Sequence, residues 1–141
     1  MRLLVDTNIL LRVVAGDDPQ HRLVSEFIDS HLLTDDLFVA PQCLYELWTV
    51  ITRPLSVNGF GLSVAEAFVA VDKLVDMLDL LEDPASLVKR WLEVCRLYDV
   101  KGRPAHDARL VAFALEHQIQ AIVTLNSQDF ATYRDIQVIC P

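Results

Sequence analysis

The sequence is short of the features that mark membrane, secreted and disulfide-rich proteins. No apolar run among its 141 residues approaches the ~20 residues that a membrane-spanning helix needs. Arg2 is followed by only three apolar residues before Asp6, which is too few for a signal peptide. Cys43, Cys95 and Cys140 are odd in number and not spaced as metal ligands, so we expect reduced structural thiols. These absences predict a cytoplasmic protein with no membrane segment.

Positive charge is also scarce. Twelve Lys and Arg residues stand against twenty Asp and Glu residues, which gives a net charge of −8. This balance argues against a protein that holds nucleic acid by bulk electrostatics, although acids gathered around a divalent cation would still permit nuclease chemistry. Half of the basic residues lie in segment 89–109, where we expect a solvated helix face and loop, or alternatively a rim that contacts phosphates. The absence of a glycine-rich phosphate loop argues against an ATPase.

The pattern of apolar residues predicts a single α/β domain over residues 1–141. At 52% hydrophobic residues, a chain of this length can bury a substantial core. Short buried strands are expected at 3–5, 37–40, 78–81, 121–124 and 136–139, and helices at 8–14, 19–31, 41–53, 63–77, 84–98 and 106–118. Asp18 and Asp83 each precede a proline and fit helix N-caps. The alternation predicts a three-layer α/β/α fold, with a mainly parallel central sheet of four to five short strands.

A carboxylate stands where the first strand ends. The apolar run Leu3-Leu4-Val5 stops at Asp6, and ligands collect at the carboxyl ends of parallel strands. Thr7 and Asn8 follow at once and can cap the next helix. Asp6 is therefore a candidate ligand-binding residue, and the alternative is that it only caps that helix.

Two further acids share a helix face with apolar residues. Glu46 lies three residues after Cys43 and four before Val50, and a carboxylate on an apolar face is costly unless it is paired or bound to a cation. The alternative is that Glu46 tilts out to solvent or pairs with Arg53. Asp107 shares a face with the apolar residues of its own helix, and the alternative for Asp107 is helix capping.

The fourth strand also ends in polar residues, namely Thr124, Asn126 and Asp129. Hard cations such as Mg²⁺ prefer oxygen ligands, and carboxylates gathered without a cation would repel one another. One or two such ions can activate water for phosphodiester hydrolysis. The acids therefore suggest a divalent-cation site, although spacing alone does not show that they converge.

Four segments in order resemble the PIN-domain nucleases, and within them the toxins of VapBC-type toxin–antitoxin pairs. These segments are Val-Asp-Thr-Asn at 5–8, Glu46 in its helix, His-Asp-Ala at 106–108, and Val-Thr-Leu-Asn-Ser-Gln-Asp-Phe at 123–130. The similarity covers essentially the whole chain. An isolated Asp-Thr-Asn would be weak evidence, whereas the ordered set is strong.

This resemblance implies a Mg²⁺- or Mn²⁺-dependent ribonuclease that acts on RNA, with Asp6, Glu46 and Asp107 as its acidic, metal-binding centre. It also implies a homodimer and a small VapB-like antitoxin that blocks the site. Thr7 and Thr124 would orient the carboxylates.

One residue departs from the family pattern. Many members have an aspartate where Asn126 stands, so Asn126 would offer a carbonyl oxygen without charge, and Asp129 would either replace it or order the loop. The departure supports an alternative, a catalytically weak PIN-fold module for RNA binding or protein interaction. An aspartyl-phosphate chemistry is disfavoured because no lysine follows Lys101. Phe60 and the nearly all-apolar helix around Trp48 predict an interface or a well-filled core.

Overall fold

The computed structural model describes residues 1–141 and contains one five-stranded sheet in which every pair of neighbouring strands is parallel. The strand order is β3-β2-β1-β4-β5. The strands are β1 (Arg2–Val5), β2 (Asp36–Val39), β3 (Asp79–Leu80), β4 (Ala121–Val123) and β5 (Gln137–Ile139). The predicted α/β class, the parallel sheet and all five strands are confirmed.

Six α-helices connect the strands. They are α1 (Thr7–Val14), α2 (His21–His31), α3 (Pro41–Thr52), α4 (Val64–Met77), α5 (Leu87–Leu97) and α6 (Pro104–Glu116), with short 3₁₀ turns at Leu55–Val57 and Ser127–Phe130. The chain runs outward from β1 to β3 and then crosses back to β4. Right-handed crossovers in opposite directions put their helices on opposite faces of a sheet. Accordingly α1 to α4 pack with one another, and α5 packs against α6.

Three helix starts were predicted wrongly, and one of them is that of α6, which begins at Pro104 rather than at His106. The Asp18 Oδ1 atom accepts a hydrogen bond from the Gln20 backbone at 2.8 Å, which closes a turn, so α2 begins at His21 rather than at Pro19. Helix α5 begins at Leu87 rather than at Pro84 because Asp83 accepts a hydrogen bond from a distant arginine instead of capping the helix. Asp83 is thus engaged by a distant partner, whereas Asp18 keeps a local hydrogen bond that closes a turn ahead of the helix.

The central strand β1 is the most buried part of the sheet. Leu3, Leu4 and Val5 are fully buried, and they pair with β2 on one side and β4 on the other. The direction of winding reverses between β1 and β4. The crevice outside the carboxyl ends of these two strands is therefore the topological switch point, where open α/β sheets bind ligands.

Apolar surface is exposed at other residues than those predicted. Phe60 and Trp48 pack against the core, so they do not form an exposed patch. The large apolar side chains that do face solvent nearby include Tyr45, Leu55 and Phe68, which are 69%, 77% and 64% exposed. No helix has the length and apolar character needed to span a bilayer.

Candidate active site

Asp6 lies at the switch point, as its position after β1 predicted. Its backbone N–H extends the β1–β4 pairing by donating to the Val123 carbonyl at 3.0 Å. Its Oδ1 atom accepts from the Thr7 backbone at 2.7 Å, which makes Asp6 the N-cap of α1. Its Oδ2 atom accepts from Asn8 at 3.0 Å and from Thr124 at 2.8 Å. Asp6 therefore caps the helix and also faces the other polar residues of this crevice.

The Thr124 hydroxyl is the centre of this network. Thr124 is fully buried, and its Oγ1 atom accepts from the Asn8 side chain at 2.9 Å and from the Asn126 backbone at 3.1 Å. Because both of those partners are donors, the single hydroxyl proton of Thr124 is directed at Asp6. All the hydrogen-bonding capacity of the hydroxyl is used, so Asp6 is held in one orientation.

Asn8 was not predicted as a site residue. Its amide nitrogen bridges Asp6 and Thr124, and its Oδ1 atom accepts from the Leu125 backbone at 3.0 Å. It therefore ties the end of β1 to the loop after β4. The signal that could have identified it is its place in the Asp-Thr-Asn run that follows β1.

Glu46 is solvent-exposed, so the prediction that it lies on a buried face of its helix was wrong. The alternative pairing with Arg53 is not seen either, because Arg53 donates to the Asn58 carbonyl. Both carboxylate oxygens of Glu46 are nevertheless held. The Thr7 hydroxyl donates to Oε2 at 2.7 Å, and the Gln42 amide donates to Oε1 at 3.1 Å. Thr7 thus connects the start of α1, next to Asp6, to Glu46 on α3, as a residue that orients a carboxylate would.

Asp107 lies in the first turn of α6, which begins at Pro104, so Asp107 is not the helix cap. It is half-buried, and its carboxyl has a pKa of about 6, raised first by burial and then by the negative charges of Asp129, Asp6 and Glu46. His106 lowers this pKa slightly, and no hydrogen bond does so. Burial likewise raises the pKa of Asp6, and the charges of Glu46 and Asp129 add to that effect. The three predicted acids and Asp129 therefore form one electrostatic cluster.

The other predicted residues lie at the rim. Asn126 and Asp129 are exposed, and Asn126 contributes its backbone N–H to Thr124. Asp129 opposes the ionisation of both Asp6 and Asp107. His106 is exposed next to Asp107, and its carbonyl accepts from Gln42. The two residues thus contribute differently: Asn126 bonds through its backbone N–H, and Asp129 adds negative charge to the cluster.

No basic side chain neutralises the acids of this cluster, which are Asp6, Glu46, Asp107 and Asp129. Of the basic residues in segment 89–109, Arg90, Lys101 and Arg109 form ion pairs elsewhere. No three His, Cys, Asp or Glu side chains converge closely enough to enclose an ion by themselves. The donor set is nevertheless all oxygen and carries uncompensated charge. That set suits Mg²⁺, which keeps several waters and needs only one or two carboxylates.

Comparison with known proteins identifies the family. The family model described as "PIN domain" matches residues 3–135. Ribonuclease VapC25 of Mycobacterium tuberculosis is 32% identical, with 98% of this chain and 97% of the relative covered. Ribonuclease VapC31 of the same species is 30% identical over the same shares of the two chains.

Solved structures agree in fold. VapBC2 from Rickettsia felis, solved bound to a DNA fragment from its promoter, matches with a TM-score of 0.79 at 12% identity, covering 100% of this chain and 99% of that chain. VapC20 of Mycobacterium tuberculosis, a toxin that cleaves the sarcin–ricin loop, matches with a TM-score of 0.70 at 17% identity, covering 93% and 95%. The chain therefore belongs to the PIN-domain family, with VapC proteins among its relatives.

Proposed function

We propose that the protein is a metal-dependent endoribonuclease that hydrolyses RNA phosphodiester bonds. The observation that carries this proposal is the cluster of carboxylates at the switch point, whose charges oppose one another's ionisation without any basic partner. Keeping such groups together has a free-energy cost that a bound cation removes. The two VapC relatives reported above are themselves named ribonucleases.

The proposed cofactor is Mg²⁺ or Mn²⁺. Asp6, Glu46 and Asp107 would hold the ion directly or through its bound waters, with Asn126 or Asp129 completing the site through water. When bound, the ion supplies an activated water and stabilises the charge that develops on the phosphate.

The chain's own residues would fix the carboxylates before substrate arrives. Thr124 and Asn8 hold Asp6 through its Oδ2 atom, and Thr7 holds Glu46 through its Oε2 atom. Groups that orient ligands in this way limit the reorganisation needed at the moment of reaction. Asp107 has no such partner, and its position is set by α6 alone.

The relatives also support a partner. Several structural neighbours are described as VapBC complexes, including those from Rickettsia felis, Haemophilus influenzae and Salmonella typhimurium. We infer that this chain is likewise the toxin of a pair with a VapB-like antitoxin, acting as a homodimer in the cytoplasm. The exposed apolar side chains of α3, α4 and the loop between them supply surface of the kind that marks protein interfaces.

The alternative is a catalytically weak RNA-binding or protein-interaction module. It rests on Asn126, which brings no charge to the site. Against it, the negative charge of Asp129 already raises the pKa of both Asp6 and Asp107. The cluster thus contains four carboxylates despite Asn126, which favours the enzyme.

The test is RNA cleavage by the purified protein with Mg²⁺ or Mn²⁺, with and without EDTA. We expect cleavage that EDTA abolishes and that falls at least a hundredfold in Asp6→Asn and Asp107→Asn, because each loses a metal-binding charge. Asp72→Asn, an exposed acid on α4, is the matched control and should cleave as the wild type does. Equal cleavage by all four proteins would point to a contaminating nuclease and move the binding module to first place.

A further inference from the structure

The side chain of Glu46 is held in one orientation even though it is exposed to solvent. It is an exposed glutamate on the side of α3, and a free glutamate side chain samples many rotamers. Both of its carboxylate oxygens are nevertheless bonded. The partner of Oε2, Thr7, is buried and belongs to the motif after β1. The partner of Oε1, Gln42, lies one helical turn before Glu46 on α3.

The Gln42 amide can adopt only one orientation. Its Oε1 atom accepts from the Arg109 guanidinium at 2.9 Å. Its Nε2 atom donates to Glu46 Oε1 at 3.1 Å and to the His106 carbonyl at 2.9 Å. Reversing the amide would direct its oxygen at two acceptors and its nitrogen at a cation, so the flipped form loses all three bonds. Arg109 therefore fixes which end of the amide faces Glu46.

Gln42 also connects the two helices that carry the acids. Glu46 is on α3, which packs against α1 and α4, whereas Asp107 is on α6, which packs against α5. Both side-chain hydrogen bonds between α3 and α6 pass through Gln42. One of them ends on the carbonyl of His106, the residue before Asp107. The amide thus sets the position of the Glu46 carboxylate relative to the first turn of α6.

The neutral amide between Arg109 and Glu46 has an electrostatic consequence. Arg109 forms its ion pair with Asp83 at 2.8 Å and forms none with Glu46. A direct Arg–Glu pair would orient the carboxylate but would also neutralise it and compete with a cation. The interposed amide transmits orientation and leaves the negative charge of Glu46 available.

We propose that Gln42, locked by Arg109, is a positioning residue that holds the Glu46 carboxylate in register with the Asp107 helix for cation binding. This inference rests on the proposed function, because the cation is what the positioned carboxylate would bind. Residues that orient metal ligands typically change metal affinity or activity by about 10- to 100-fold when they are removed. Arg109 is thus expected to affect cation binding only by fixing Gln42, which in turn positions Glu46.

The experiment is titration of Mn²⁺ into the full-length protein by calorimetry, alongside RNA cleavage as a function of Mn²⁺ concentration. Gln42→Leu keeps the side-chain volume and removes the oxygen and the nitrogen of the amide. We expect it to raise the Kd for Mn²⁺ about tenfold while cleavage at saturating Mn²⁺ recovers most of the wild-type rate. Arg109→Met should raise the Kd about threefold, because the amide keeps its bond to the His106 carbonyl. The double variant should match Gln42→Leu, since groups in series do not add.

Gln120→Leu is the matched control, because the Gln120 side chain likewise forms a hydrogen bond between elements, accepting from the Arg2 backbone N–H at the other end of β1 from the acids. It should bind Mn²⁺ as the wild type does. Thermal unfolding in EDTA separates positioning from folding, and the unfolding midpoint of Gln42→Leu should stay within the range of the control. A Kd for Gln42→Leu within twofold of the wild type would overturn this inference alone. A wild type that neither binds Mn²⁺ nor cleaves RNA would overturn the proposed function together with it.

Discussion

Asp6 and Asp107 bring the same chemical group to the same cluster, but the chain holds them in opposite ways. Asp6 follows a buried strand, and its two oxygens accept three hydrogen bonds. Asp107 is on the first turn of a helix, accepts no hydrogen bond that favours its charge, and is opposed by three other acids. The pKa of both carboxyls is raised, but the hydrogen bonds to Asp6 offset part of the cost of its charge, whereas no hydrogen bond does so for Asp107. One site thus contains a carboxylate that hydrogen bonds support and a strained one that they do not.

Replacing Thr124 by valine tests the Asp6 side of this contrast and should have the largest effect on stability. Valine has the same shape but removes the buried hydroxyl that the Asp6 carboxylate, the Asn8 amide and the Asn126 N–H share as a partner. We expect the free energy of unfolding to fall by about 2–3 kcal/mol, measured by urea denaturation in EDTA. Thr52→Val removes a hydroxyl that bonds only within α3 and should cost under about 1 kcal/mol. Equal losses in the two variants would mean that the Asp6 corner is not specially stabilised.

Replacing Asp107 by asparagine should change stability in the opposite direction. Asparagine keeps the size of the side chain and removes the repelled charge. We expect the metal-free protein to become more stable at pH 7 by about 1 kcal/mol, once solvent screening at this half-buried position is allowed for. The same variant should lose RNA cleavage, so the residue would trade stability for activity. An unchanged or lower unfolding free energy in EDTA, set beside Asp72→Asn, would contradict the strained description of Asp107.

The dependence of this gain on pH follows from the sign of the shift. The folded protein keeps the Asp107 proton up to a pKa of about 6, whereas the unfolded chain releases it near the ordinary pKa of 3.8. Below the lower value both states are protonated, and the charge has no effect. As pH rises between the two values, the unfolded state gains stability by ionising first, so the folded wild type is destabilised. The advantage of Asp107→Asn should therefore grow from pH 4 to pH 6 and level off above it.

The same contrast explains what could be predicted from sequence. The strands and Asp6 were predictable because a short apolar run that ends in an acid is a local signal, and a parallel sheet then fixes which edge the acid occupies. Thr124 was predictable for the same reason after β4. The positions of the acids on helices were harder to predict from the sequence. Asp107 was correctly placed near a helix start, but Glu46 was wrongly placed on a buried face because apolar spacing on α3 does not reveal what covers that face.

Contacts between distant helices were not predictable at all. Gln42 and Arg109 are 67 positions apart, and their hydrogen bond depends on how two helices on different sides of the crossover approach each other. Arg109 was grouped with the basic segment, where composition suggested a solvated face or a phosphate rim. Its ion pair with Asp83 also explains why Asp83 does not cap α5. When a side chain has several possible partners, the tertiary structure determines which of them it contacts. The spacing of residues in a single sequence does not reveal that choice.

The smallest expected effect concerns which residue completes the cluster, Asn126 or Asp129. Asn126 is exposed and engaged only through its backbone, so Asn126→Asp adds a charge without breaking a side-chain hydrogen bond. A unit charge about 4 Å from a cation is worth about 1 kcal/mol in water, which is roughly a fivefold change in affinity. We expect Asn126→Asp to tighten Mn²⁺ binding about fivefold in calorimetry, and Asp129→Asn to weaken it by a similar factor. If Asp129→Asn binds Mn²⁺ as the wild type does, the charge of Asp129 does not reach the ion. The site would then be a three-carboxylate centre in which hydrogen bonds fix Asp6 and Glu46 but not Asp107.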